Sequence, residues 1–145
     1  MKVLLALSLL FAQFTIAQDY DFNVDKGAVA EGYDMVSYFE DQVQEGNEQW
    51  RSSYKGFTFL FNSKSHKATF DKNPEKYYPK YGGYCSNAMS VKGKKVSINP
   101  EVFEIRNGRL HLFYREKGHE EWLENPSKNK AQAEKNWKVF GHLND

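Results

Sequence analysis

The chain has a single cysteine, Cys85, among its 145 residues. An intramolecular disulfide is therefore impossible, which excludes a disulfide-stapled scaffold and a paired-thiol redox motif. Charge of one sign is missing too. Twenty Lys and Arg face 19 Asp and Glu, so there is no electrostatic footprint for nucleic acid and no such partner is expected. There is no glycine-rich phosphate loop, no histidine pair at zinc-binding spacing and no Gly-x-Ser-x-Gly elbow. The one sustained apolar run lies near the start and is shorter than the about 20 residues that span a bilayer. Aromatic side chains, by contrast, are abundant: they make up 16% of the chain and are spread along it. That composition argues against disorder and for a packed core, which a chain of this length can bury without staples.

The apolar run reads as a targeting segment. Lys2 precedes Val3 to Phe14, interrupted by Ser8 and Gln13, and Thr15 and Ala17 then stand as small residues before Gln18. A basic start, a short apolar stretch and a small-residue exit make residues 1–17 a signal peptide. Residues 18–145 are then one domain, exported to a periplasm or secreted, with no membrane span after signal removal. In an oxidising compartment the lone Cys85 is buried, metal-bound, paired to another chain or a reactive thiol.

Two hairpins and several helices follow from the pattern. With Lys55-Gly56 as a turn, Tyr54 faces Phe57, Ser52 faces Phe59 and Trp50 faces Phe61, while Leu60 falls on the opposite side. Ser63 caps a helix running to about Lys72, and Pro74 opens a second, short one. The glycines of Tyr81-Gly82-Gly83-Tyr84 permit a sharp turn before a helical stretch at Cys85–Met89. Asn107-Gly108 turns the second hairpin, setting Ile105 against Leu110 and Phe103 against Leu112 on the buried side. Glu104 opposes His111 on the other side, so His111 is expected to be solvated. A helix near 117–125 follows, then a last one capped by Ser127, with Ala133, Trp137 and Phe140 facing the core and Glu134 pairing with Lys138. Antiparallel hairpins with separate helices make an α+β fold.

Tyr54-Lys55-Gly56-Phe57-Thr58-Phe59-Leu60-Phe61, Asn73-Pro74-Glu75-Lys76-Tyr77 and Tyr81-Gly82-Gly83-Tyr84-Cys85, joined by Gly32 to Phe39 and the Asn107-Gly108 hairpin, resemble a YHS-domain protein of the exported, single-domain branch. The resemblance implies an α+β fold and a possible metal site. The cysteines expected in metal-associated members are absent: Ser37, Asn62 and His66 stand in their places, and Met35 replaces a proline. The soft donors that remain are Cys85, Met89, His66 and Met35. Thiolate with thioether favours copper(I), which makes Cys85 the principal candidate ligand, with Met89 one helical turn away and His66 as partners.

Two other classes stand beside soft-metal handling. In one, the protein is a non-catalytic module for a small ligand or another protein, with Tyr77, Tyr78, Tyr81 and Tyr84 as the wall of a pocket. In the other, Cys85 is the nucleophile of a thiol-dependent enzyme, which would need a base such as His66 or His119 within reach. No catalytic residue is assigned from the sequence.

Overall fold

The computed structural model describes residues 19–144; the expected signal peptide, residues 1–17, lies outside them. The fold is α+β, with three antiparallel two-stranded sheets and five α-helices. A minimal hairpin of β1 (Val24–Asp25) and β2 (Ala28–Val29) leads into two 3₁₀ turns at Ala30–Gly32 and Ser37–Glu40. The hairpin β3 (Asn47–Tyr54) and β4 (Phe57–Phe61) comes next, then α1 (Lys64–Lys72) and α2 (Pro74–Tyr77). A 3₁₀ turn at Lys80–Gly83 delivers the chain to α3 (Ser86–Lys92). The second long hairpin, β5 (Asn99–Arg106) and β6 (Arg109–Phe113), is followed by α4 (Glu116–Glu124) and α5 (Pro126–Lys138).

The local chemistry sets these boundaries. Both long hairpins turn on two consecutive residues of positive φ, Lys55-Gly56 and Asn107-Gly108, the geometry that matches strand twist. The Ser63 hydroxyl accepts the His66 N–H at 3.1 Å and so caps α1. The α5 cap lies at Asn125, whose Oδ1 accepts the Lys128 N–H at 3.2 Å, not at Ser127. Pro126 occupies the first turn, so Asn125-Pro126 repeats the Asn73-Pro74 device that opens α2.

Register confirms Tyr54 opposite Phe57 and Ser52 opposite Phe59, but a bulge sets Asn47, not Trp50, opposite Phe61. The extra residues bend β3 and release Trp50 from the aromatic row. Leu60 is buried like its neighbours Phe59 and Phe61, because its side chain packs over Gly32 on the far face. Phe70 of α1 sits among Phe59 (4.7 Å between centroids) and Phe61 (5.0 Å). This aromatic centre is continuous with Leu110, Leu112, Phe113, Trp122 and Trp137 farther along the chain.

His111 is opposite Glu104, as expected, yet it is fully buried. Helix α4 lays Trp122 against it (5.3 Å), and Tyr81 meets it edge-on (5.6 Å), so both faces of β6 are covered. Ile105 and Phe140 are instead substantially exposed. Glu134 turns from Lys138 to Lys130 (2.6 Å) and to the buried Lys80 (3.6 Å), whose ammonium requires a counter-charge. Helix α5 also closes α3: Asn136 Nδ2 donates to the carbonyls of Met89 (2.8 Å) and Ser90 (3.0 Å).

Candidate functional site

Cys85 stands at the head of α3 in extended backbone (φ −57°, ψ 117°). Its N–H donates to the Val96 carbonyl at 2.9 Å and its carbonyl accepts the Met89 N–H at 3.0 Å. The thiol is 3% exposed, and its Sγ accepts the Tyr114 N–H at 3.3 Å. It lines a cleft of about 110 Å³ between α3, the start of α4 and the loop after α3. Ala88, Val91 and Val96 supply apolar wall; Asn87, Lys92, Arg115, Gly118 and Glu121 supply polar groups and backbone.

Asn87 is the unusual member. Its Nδ2 donates to Glu121 Oε2 at 3.0 Å, which fixes the amide's orientation because a carboxylate can only accept. That leaves Asn87 Oδ1 buried without a hydrogen-bond partner among the described residues. Such an acceptor costs roughly 1–3 kcal/mol, and it lies in a residue that lines a cleft. Gly118 lies beside the same amide: a Cβ there would meet Asn87 Nδ2 at 3.5 Å, an ordinary contact. Gly118→Ala is therefore expected to raise stability by about 0.5–1 kcal/mol through helix propensity while narrowing the cleft. Denaturant midpoints of the two proteins measure this directly.

The other soft donors do not join Cys85. Met89 is fully buried and is not among the residues lining the cleft. His66 has both ring nitrogens engaged, Nδ1 with Asp34 Oδ2 at 2.7 Å and Nε2 with Glu40 Oε2 at 3.0 Å. Met35 is fully buried. Among the described residues, no group of three or more His, Cys, Asp or Glu side chains is placed to hold a metal ion. The donors present thus do not fit a copper(I) centre built from Cys85, Met89 and His66. Nor does any histidine among the described residues line the cleft as a base for the thiol; His119 is bound to Glu104 at 3.1 Å.

The four tyrosines do not share a wall either. Tyr77 packs on Phe39 (5.2 Å) and borders a separate open depression with Thr69, Lys72, Asn73 and Lys76. Tyr78 packs on Phe22 and Tyr54, Tyr81 on His111 and Trp137. Tyr84 leans on Trp137, and burial, with the charge and hydrogen bond of Asp21 adding to it, pushes its hydroxyl up to about 12.

Ser37, Asn62 and His66, where the resemblance expects cysteines, do converge. The fully buried Asp34 accepts the N–H groups of Val36 (2.9 Å) and Ser37 (3.3 Å) on Oδ1. Its Oδ2 accepts the Asn62 N–H at 3.0 Å and meets the His66 ring. A carboxylate hub occupies this place.

No family model, curated protein or solved structure matches the chain. The site therefore has to be read from its own chemistry. Asn87, Arg115 and Gly118 are absent from the residues singled out in the sequence; the available signal was the three-residue spacing of Gly118 and Glu121, which makes that pair neighbours on α4.

Proposed function

We propose that this protein is an exported YHS-like binding module that holds a small ligand in the cleft beside Cys85. The observation that carries the reading is the buried Asn87 amide in the wall of that cleft, with its Oδ1 unsatisfied. A ligand donor would supply the missing hydrogen bond once the Asn87 side chain turns its Oδ1 toward the cleft, and the apolar wall would take part of the ligand's body. The cleft's size suits a molecule smaller than a drug-sized ligand.

A fragment screen followed by ¹H–¹⁵N spectra of residues 18–145 tests it. Bound fragments are expected to move amide resonances at 85–92, 96 and 114–121, and Gly118→Ala is expected to weaken those effects in a protein that is more stable than wild type. A library in which no fragment moves these resonances would overturn the reading.

Copper(I) is the second reading, favoured by one observation: the chain's only thiol lines the same cleft. In that case the metal binds Cys85 and brings its remaining ligands with it. Competition titration would then give stoichiometric binding that Cys85→Ser abolishes. Met89→Leu is the proper control, since it conserves buried volume, whereas Met89→Ala at a fully buried position would cost about 2–5 kcal/mol of stability. Met89→Leu is expected to leave copper(I) binding unchanged; loss of binding would restore Met89 as a ligand.

A further inference from the structure

We propose that a depression beside Trp50 binds an acidic glycan, a sugar chain that carries carboxylates. It shares no lining residue with the Cys85 cleft, so it stands apart from the binding reading above. The bulge in β3 builds it. Between the pairs Asn47–Phe61 and Arg51–Leu60, β3 carries Glu48, Gln49 and Trp50 where β4 carries nothing. Gln49 and Trp50 from this bulge line a depression of about 320 Å³ together with Lys64, Lys67, Ala68 and Asp71 of α1. Those four stand at i, i+3, i+4 and i+7 inside the helix, so they form one face of it. Ala68, the smallest of them, leaves room between the longer side chains. Gln49, Lys64 and Asp71 are exposed and Trp50 is half-buried, so every group the ligand would use is within its reach.

Trp50 differs from the other two tryptophans. Trp122 and Trp137 are buried, and their indole N–H groups donate to Glu104 Oε1 and the Asn144 carbonyl. Among the described residues the Trp50 indole has neither a ring partner nor a hydrogen-bond acceptor, and its Nε1 is not a buried orphan; that N–H meets solvent. A flat apolar body with an unused donor suits a pyranose, which offers a C–H face and a rim of hydroxyls. The polar groups around it suit those hydroxyls. Asp71 accepts from Ser52 Oγ and Lys67 Nζ, both at 2.5 Å, and a carboxylate has lone pairs left for further donors. The Gln49 amide both donates and accepts. Asp71 also compensates Lys67 (2.5 Å), whereas Lys64 has no acidic partner among the described residues. One uncompensated positive charge thus borders the depression and favours a carboxylated sugar over a neutral one. An aromatic acid could use Trp50 and Lys64, but it would bring Asp71 no hydroxyl donor.

The test is a set of ¹H–¹⁵N titrations of the same protein with tetragalacturonate, cellotetraose and benzoate. The Trp50 indole resonance is assigned from its loss in Trp50→Phe. Tetragalacturonate is expected to move it, with the amides at 49–50 and 64–71, and to bind about fivefold tighter than cellotetraose. Lys64→Gln, at an exposed position, is expected to remove that advantage and leave cellotetraose unchanged. Trp50→Ala is expected to weaken both glycans about tenfold or more, with its amide resonances at 85–92 in their wild-type places as the sign that the fold is kept. Equal affinity for the two glycans in the wild type would overturn the assignment, as would benzoate binding more tightly than tetragalacturonate. A Trp50 indole resonance that stays still up to about 10 mM tetragalacturonate would overturn the site itself.

Discussion

Lowering the pH from 7 to 4.5 is expected to remove about 3 kcal/mol of folding stability through His111 alone. Burial holds the folded imidazole far below its ordinary range, down to about 3, outweighing the attraction of Glu104. In the unfolded chain the same group takes up a proton near pH 6.5. Between those two values the unfolded state binds the extra proton, so stability falls as pH falls, by about 1.4 kcal/mol per unit. Above pH 6.5 both states carry neutral His111 and the effect vanishes. A second limb lies lower. Glu104 loses some solvation on burial, but hydrogen bonds from Arg106, His119 and Trp122 prevail and bring it down to about 2. Its contribution is present above its unfolded value near 4.5 and is lost as pH drops toward 2. Urea midpoints recorded across pH 4.5–7.5 for wild type and His111→Gln separate the first limb from the second. The variant starts less stable, since Ser86 Oγ loses its partner at 3.1 Å, but its curve is expected to be flatter by about one proton over this range. Parallel curves would show that His111 is not the group responsible.

His111 also marks where sequence reasoning stopped. Alternation along β6 was legible, and the pairing with Glu104 follows from the Asn107-Gly108 turn. Alternation says only that two faces differ; it does not say that one of them is wet. Helix α4 covers the second face with Trp122, a contact set by tertiary packing. The two bulges, between Asn47 and Arg51 and between Asn99 and Phe103, were equally silent, because an inserted residue leaves the apolar pattern on either side intact. Elements governed by local chemistry were readable: both hairpin turns, the Ser63 cap and the Pro74 start. At the candidate site the thiol was legible and its surroundings were not. Cys85 and Met89 have helical spacing, yet Cys85 is in extended backbone at the cap, so the rule that i and i+4 share a face fails for this pair. The group that meets the Cys85 thiol is the Tyr114 N–H, just before α4 and about thirty residues later, and only the fold brings them together.

Asp34→Ala is expected to cost about 3–5 kcal/mol, well beyond an ordinary substitution. The carboxylate is fully buried, and three backbone N–H groups from two chain segments converge on it with the His66 ring. Removing it leaves the Val36 and Asn62 N–H groups and the His66 Nδ1 without this acceptor, while the Ser37 N–H keeps the Asp34 backbone carbonyl at 3.1 Å; each orphan costs roughly 1–3 kcal/mol before relaxation. His66→Ala removes only one of the four and leaves the carboxylate with its three backbone donors, so its cost is expected to be about 1–2 kcal/mol. Asp34→Asn falls between: one oxygen still accepts, while the new amide N–H₂ faces the Asn62 N–H donor. On the YHS-like reading this network has a further meaning. Ser37 and Asn62 place their backbone N–H groups on Asp34, and His66 its ring, so a hydrogen-bonded carboxylate joins the segments that cysteines and a metal would join elsewhere. Chelators should then leave the denaturation midpoint of the protein unchanged, and the Asp34→Ala, His66→Ala double-mutant cycle should show a coupling of at least 1 kcal/mol. An Asp34→Ala protein no less stable than His66→Ala would remove the hub from this account.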